Sequence, residues 1–213
     1  MRASRALRIL AGTSQAETAA FAAGEYDNVF AAASDCGLPL FVAISGNAHL
    51  LPRYLEKFRD VKIIVDHCGM PPSRPIRYAI AKMEALPDSE EYWSKFGDVP
   101  LPESLERVLL LSAYPNVAIK WAHSSAIFEA PAYPNEAARP FLRSILNAFG
   151  ANRVMWASDI STLSTGETWA EVLFSVVNNP DLSKLDREHF LGRSVRDWLN
   201  WEYDGVADET PAR

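Results

Sequence analysis

Five short runs along the chain are largely apolar: RALRIL (5–10), LPLFVAI (38–44), VKIIVD (61–66), NVAIKWA (116–122) and NRVMWAS (152–158). They are continuous, without the polar alternation of a strand that has one wet face, so they predict parallel strands covered on both sides. Helical patterns lie between them. YDNVFAAASDCG closes on Gly37 as a C-cap, and HLLPRYLEKF follows the second run. PESLERVLLLSAYP carries Pro102 at its start and apolar residues at Leu105, Val108, Leu109 and Leu110 on about a helical period. NEAARPFLRSILNAFG ends on Gly150, a second C-cap position. Strand followed by helix, repeated, predicts βαβ units and an α/β fold with a parallel sheet.

The stretch from Pro71 to Pro102 breaks the rhythm. Prolines recur there among charged and aromatic residues, as in PPSRP and VPLP, which predicts a long βα loop with one helix, IRYAIAKMEAL, inside it. After Asp159 the chain turns small and polar (ISTLSTGE) before the helix TWAEVLFSVVNN. LSKLDREHFLGRSVRDWLNW opens with a Ser183/Asp186 capping box and supplies the closing helices. The pattern predicts one domain over residues 1–203 and a frayed polar tail over 204–213.

Composition narrows the class of partner. A chain of 213 residues with 48% hydrophobic content can bury a full core. Its formal charge of -6 and lack of any Lys/Arg block argue against nucleic acid and anionic membranes as partners. No apolar window reaches the length of a membrane span. Cys36 and Cys68 form no CxxC, and both are expected to be reduced, buried thiols of a cytoplasmic protein.

Three of the predicted strands run apolar and then end in ionisable groups: Asp66-His67, Lys120 with His123, and Ser158-Asp159. Parallel α/β folds place active sites at the carboxyl ends of their strands. Each residue also has an ordinary structural reading. His67 fits a satisfied core histidine, Asp66 a turn cap, Lys120 a snorkelling strand end and His123 a surface loop. Asp159 has the stronger claim on function, because a carboxylate that follows a buried strand needs a partner or a ligand. No HExxH, GxSxG or glycine-rich phosphate loop is present.

IIVDHCGMP resembles the D-H-x-G-x-P strand end of the amidohydrolase-related (amidohydrolase 2) family of metal-dependent TIM-barrel hydrolases. YPNVAIKWAHSS is similar to that family's next strand, N-V-y-v-K-l-S-G, and FGANRVMWASDIS to its last, R-v-m-f-G-S-D-w-P. LDREHFLGRSVRDWLNW resembles its closing helix, and all these segments stand in the family's order. The departures are Ala157 for Gly, Ile160-Ser161 for Trp-Pro, His123-Ser124 for Ser-Gly and Ser194-Val195 for Asn-Ala.

The resemblance implies a fold and a site. The fold is the carboxyl-terminal part of a (β/α)8 barrel, strands four to eight. His67 and Asp159 would be the catalytic pair and remnant metal ligands, with Asp159 as base toward water. Lys120, His123 and Asp66 would bind substrate. The family's first strand carries an H-x-H pair that this chain lacks, so the chain is expected to be truncated. A divalent metal such as zinc is then in doubt, because a catalytic zinc takes at least three protein ligands. The implied chemistry is hydrolysis of a small carboxylated lactone, ester or amide. A decarboxylase of the same family, an inactive barrel serving as a binding module, and an independent five-stranded domain all stay open. The two unpaired sheet edges, RALRIL and NRVMWAS, predict self-association.

Overall fold

The apolar runs become strands because each concentrates aliphatic and β-branched residues between turn-forming groups. A computed structural model describes residues 4–12, 14–73, 77, 81–82, 99–130, 132–159 and 168–202. Strands β1 (Leu7–Leu10), β2 (Leu40–Ala43), β3 (Ile63–Val65), β4 (Val117–Trp121) and β5 (Val154–Trp156) form one sheet in the order β1-β2-β3-β4-β5. Every neighbouring pair is parallel. Sequential parallel strands with helical crossovers make a five-stranded part of a (β/α) barrel, as the sequence implies.

Helices α1 (Gln15–Ala23) and α2 (Asp27–Cys36) lie between β1 and β2, and α3 (Pro52–Lys57) between β2 and β3. Helix α4 (Leu101–Leu110) precedes β4, while α5 (Ser124–Ile127) and α6 (Arg139–Phe149) separate β4 from β5. Helices α7 (Trp169–Val177), α8 (Lys184–Glu188) and α9 (Ser194–Trp198) complete the chain. Local chemistry sets their ends. Gly37 adopts the left-handed conformation (φ 61°) after α2, and Pro102 stands in the first turn of α4. Ser183 and Asp186 form the capping box of α8, and Thr168 and Glu171 form another on α7. Gly150 follows α6 with positive φ but extended ψ (76°, 151°), so it turns the chain toward β5 without the left-handed closure expected there.

The register sorts the strand residues onto two faces. Ile9, Val42, Val65, Ile119 and Val154 share a row. They pack outward against Phe21, Phe30, Tyr54, Val108 and Ile145 from the helices in the main core. Phe41, Ile64 and Ala118 lie on the inner face, with Arg8 beside Phe41 at the open end of their row. A smaller cluster of Ile64, Ala118 and Met155 is covered there by Trp198 of α9. The Trp198 indole donates to Asn152 O at 3.1 Å, and Lys62 Nζ approaches Trp198 O at 3.4 Å, so α9 plugs the amino-terminal end of the inner face. The carboxyl end is left to polar groups.

Two expectations are corrected. Cys36 is exposed at the end of α2, and Cys68 alone is buried. His123, placed on the surface by its polar neighbours, is also buried, with 2% of its area exposed. Most of the helix expected at IRYAIAKMEAL, and the tail at 204–213, lie outside the described residues. Among the described residues, no helix is long and apolar enough to cross a membrane.

Candidate active site

Three strand ends turn by the same device. After β3, His67 (φ 50°, ψ 39°) and Cys68 (φ 56°, ψ 14°) are both left-handed, followed by Gly69 at φ 65°. After β4, His123 has φ 49°, and after β5 Asp159 has φ 49°. Left-handed backbone costs a residue with a Cβ about 1–3 kcal/mol and clusters where structure serves function. Gly69 answers a second demand, because a Cβ there would stand 2.8 Å from Val108 Cγ2. Met70 N donates to His67 O at 3.1 Å and the Cys68 thiol reaches Lys120 O at 3.7 Å, which ties the β3 turn to the end of β4. Burial pushes the Cys68 thiol far above its ordinary range, so it is packing and not a nucleophile.

These turns bring the predicted residues together. Lys120 Nζ donates to Asp159 Oδ2 at 2.8 Å and lies 3.1 Å from Asp66 Oδ1. His67 Nδ1 is 3.4 Å from the same Asp159 oxygen, and the His67 and His123 rings stack with centroids 5.7 Å apart. The Asp66 carboxylate is fully enclosed, while Lys120, Asp159 and His67 keep 13%, 21% and 28% of their side chains exposed. Asp66 thus sits behind the site, and the other three line its surface.

Sequence reasoning missed one member. Arg8 Nε donates to Asp66 Oδ2 at 2.6 Å, so the buried carboxylate bridges two cations from β1 and β4. Half of the Arg8 side chain remains exposed. The signal was legible: an arginine inside the apolar run RALRIL must find a partner or face a cleft.

The electrostatics follow from this packing. Burial first, then the Lys120 ammonium, lowers the His67 imidazole from its ordinary 6.5 to about 4, against the opposing pull of Asp66 and Asp159. The ring is neutral near pH 7. Burial would raise the Asp159 carboxyl, but the hydrogen bond and charge of Lys120, aided by His67 and His123, hold it below its usual range. Asp159 is therefore an ionised acceptor, flanked by a neutral imidazole and an ammonium.

Such a trio can take a proton from water and face a developing anion. It does not fit a divalent metal well. Among the described residues, no group of three His, Cys, Asp or Glu side chains is arranged to hold an ion. The oxygen of Asp159 nearest His67 is already engaged by Lys120.

Solved structures share the fold. An amidohydrolase from Burkholderia multivorans with bound zinc superposes with a TM-score of 0.69 at 17% identity, over 94% of this chain and 66% of that one. A Pseudomonas putida protein assigned as a 2-pyrone-4,6-dicarboxylic acid hydrolase gives 0.62 at 16% identity, over 94% and 64%. An amidohydrolase 2 protein from Bifidobacterium longum subsp. infantis gives 0.51 at 16%, over 80% and 53%. The chain thus spans about two thirds or less of the length of these proteins. No curated protein matches it. The amidohydrolase family model matches residues 8–210, from Arg8 through all five strands and past α9, and on that match the chain belongs to the amidohydrolase family.

Proposed function

We propose that the chain carries the proton-transfer side of a site that hydrolyses a small carboxylated lactone, ester or amide. The observation that carries the reading is one oxygen: Asp159 Oδ2, on a side chain partly open to solvent, accepts from the Lys120 ammonium and lies 3.4 Å from His67 Nδ1 at the carboxyl end of the sheet. Asp159 is the base. Water placed against it loses a proton to the carboxylate as its oxygen attacks the substrate carbonyl carbon. The neutral imidazole stands 3.4 Å from the Asp159 carboxylate, where it can hydrogen-bond the water and orient it. When the tetrahedral intermediate collapses, the proton passes from Asp159 to the departing alkoxide or amine. His123 stacks behind His67 and holds its plane.

The carboxylated substrate class rests on Arg8. Its Nε is engaged by Asp66 and half of its side chain is exposed, which leaves the other guanidinium N–H groups to pair with a carboxylate. The dicarboxylic substrate named for the Pseudomonas relative is of this class. A cytoplasmic setting is in keeping with one exposed and one buried free thiol.

The test is a panel of carboxylated lactones, their uncharged analogues and hydroxybenzoates, followed by ring opening and by CO2 release. Ring opening that Asp159→Asn abolishes, with an unchanged circular dichroism spectrum, supports the reading. Release of CO2 without ring opening would assign a decarboxylase. Saturable binding of the panel without turnover would assign a binding module.

A further inference from the structure

The carboxylates at the ends of β3 and β5 face one ammonium. Lys120 Nζ lies 2.8 Å from Asp159 Oδ2 and 3.1 Å from Asp66 Oδ1, with His67 Nδ1 another 3.4 Å beyond the Asp159 oxygen. Asp159 and His67 are hard and borderline donors of the kind that bind divalent ions, but among the described residues no third such side chain is arranged with them to hold one. The middle of the group is filled by a side chain. Asp66 is fully enclosed and also bound by Arg8, so it cannot swing out to release Lys120. The charges along Arg8, Asp66, Lys120 and Asp159 already alternate and cancel. A divalent ion bound to Asp159 and His67 would sit beside the ammonium and be repelled by it.

We propose that the Lys120 ammonium is the resident cation of this site and that, while it is charged, it excludes a divalent metal from Asp159 and His67. This rests on the reading of those two residues as the reacting groups. In that role Lys120 is catalytic. It donates to Asp159 and lies 3.1 Å from Asp66, and a remaining N–H meets the carbonyl oxygen of the substrate, where negative charge develops as water adds to the carbon. Asp66 and Arg8 are positioning residues that fix the ammonium from behind.

The test is a calorimetric titration of the chelator-stripped full chain with zinc chloride, with bound zinc counted by elemental analysis. Wild type and Lys120→Arg, which keeps the charge, are expected to show no stoichiometric binding. Lys120→Met, which keeps the bulk and removes the charge, should bind zinc at least about tenfold more tightly than wild type, the scale on which neighbouring groups alter metal affinity. Adding Asp159→Asn to that variant should erase the gain. If Lys120→Met fails to fold on its own, recovery of its circular dichroism on refolding with zinc is the same gain, and Lys120→Gln repeats the measurement with a polar group. Wild type taking up one zinc in a manner that Asp159→Asn or His67→Asn destroys would overturn the proposal without any lysine variant. So would Lys120→Met and Lys120→Gln that gain no affinity. Because the titration needs no turnover, an absence of hydrolysis would sink the proposed function and leave this assignment intact.

Discussion

Replacing His67 by Asn should flatten the acid side of the stability curve. In the folded chain the imidazole titrates near 4, while in the unfolded chain it returns to 6.5, so between those values the unfolded state binds the extra proton. Stability is therefore fully present above about pH 6.5 and is lost as pH falls toward 4. Between pH 7.5 and 5.0 the loss from this one group comes to about 2 kcal/mol, from a shift worth about 1.4 kcal/mol per pH unit. Only about a quarter of the side chain meets solvent, so screening trims the figure without removing it. Asp159 does not confuse the window, because its carboxyl is held below 3.8 and titrates outside it. His49 is also lowered, by its burial and then by Arg107, but it contributes equally to both proteins. Asn suits the left-handed backbone of position 67 better than His does, so the variant should fold, and the packing lost with the ring is the same at every pH and drops out of the comparison. The assay is urea denaturation at four or five pH values. Wild type should lose about 2 kcal/mol more than the variant between pH 7.5 and 5.0. Parallel losses in the two proteins would show that the pocket does not hold His67 neutral, and the assignment of its proton would fall with it.

Other outcomes follow from the same contacts. If ring opening is found, kcat/KM should fall on an acid limb set by groups at about 4 and below, not at 6.5, and Lys120→Met should move that limb to higher pH by removing the charge that lowers both His67 and Asp159. Asp66→Ala takes a partner from Lys120, which keeps Asp159, and from the half-exposed Arg8, and should cost about 1–3 kcal/mol in urea denaturation, the range for losing a buried hydrogen-bond partner. Gly12→Ala would place a Cβ 2.7 Å from the Ile44 carbonyl carbon, a backbone atom that cannot step aside, and should cost about 1–3 kcal/mol in the same measurement. Among the described residues β1 and β5 each pair on one side only, and Leu7 and Leu10 of β1 are exposed, so we expect concentration-dependent association in sedimentation; a monodisperse monomer at micromolar concentration would count against open edges.

The strands were legible because a buried parallel strand leaves a coarse mark: several aliphatic residues in succession, with a polar stop. Helix α1 was not. Its sequence QAETAAFAA has one buried residue, Phe21, and alanines give a periodicity reading little to grip. What could be read there was its cap, since Ser14 accepts from Glu17 N and Gly24 closes the helix in the left-handed conformation. The site was legible as a set of strand ends but not as a geometry. That Asp66 faces inward and Asp159 outward depends on the turn each residue enters, and that turn is fixed by contacts far away in the chain, such as Gly69 beneath Val108 and Cys68 against the carbonyl of Lys120.

The left-handed turns explain why these side chains converge at all. A strand that simply continued would send residues 67, 123 and 159 up past the sheet edge, with alternate side chains pointing out toward the helices. Reversing φ at the first residues after each strand folds the chain over the carboxyl end, so that His67, His123 and Asp159 meet at the mouth. Each reversal is locally unfavourable and persists only where other contacts over-determine it. Here those contacts lie in the dense outer core and in the buried Asp66 ion pairs, not in the reacting groups themselves. The division has a mechanical consequence. His67, His123 and Asp159 are held by backbone geometry that survives exchange of their side chains, whereas Lys120 is held by the charges around it. Substitutions at 67, 123 and 159 should thus act on chemistry, and substitutions at 8 and 66 on where the Lys120 charge stands.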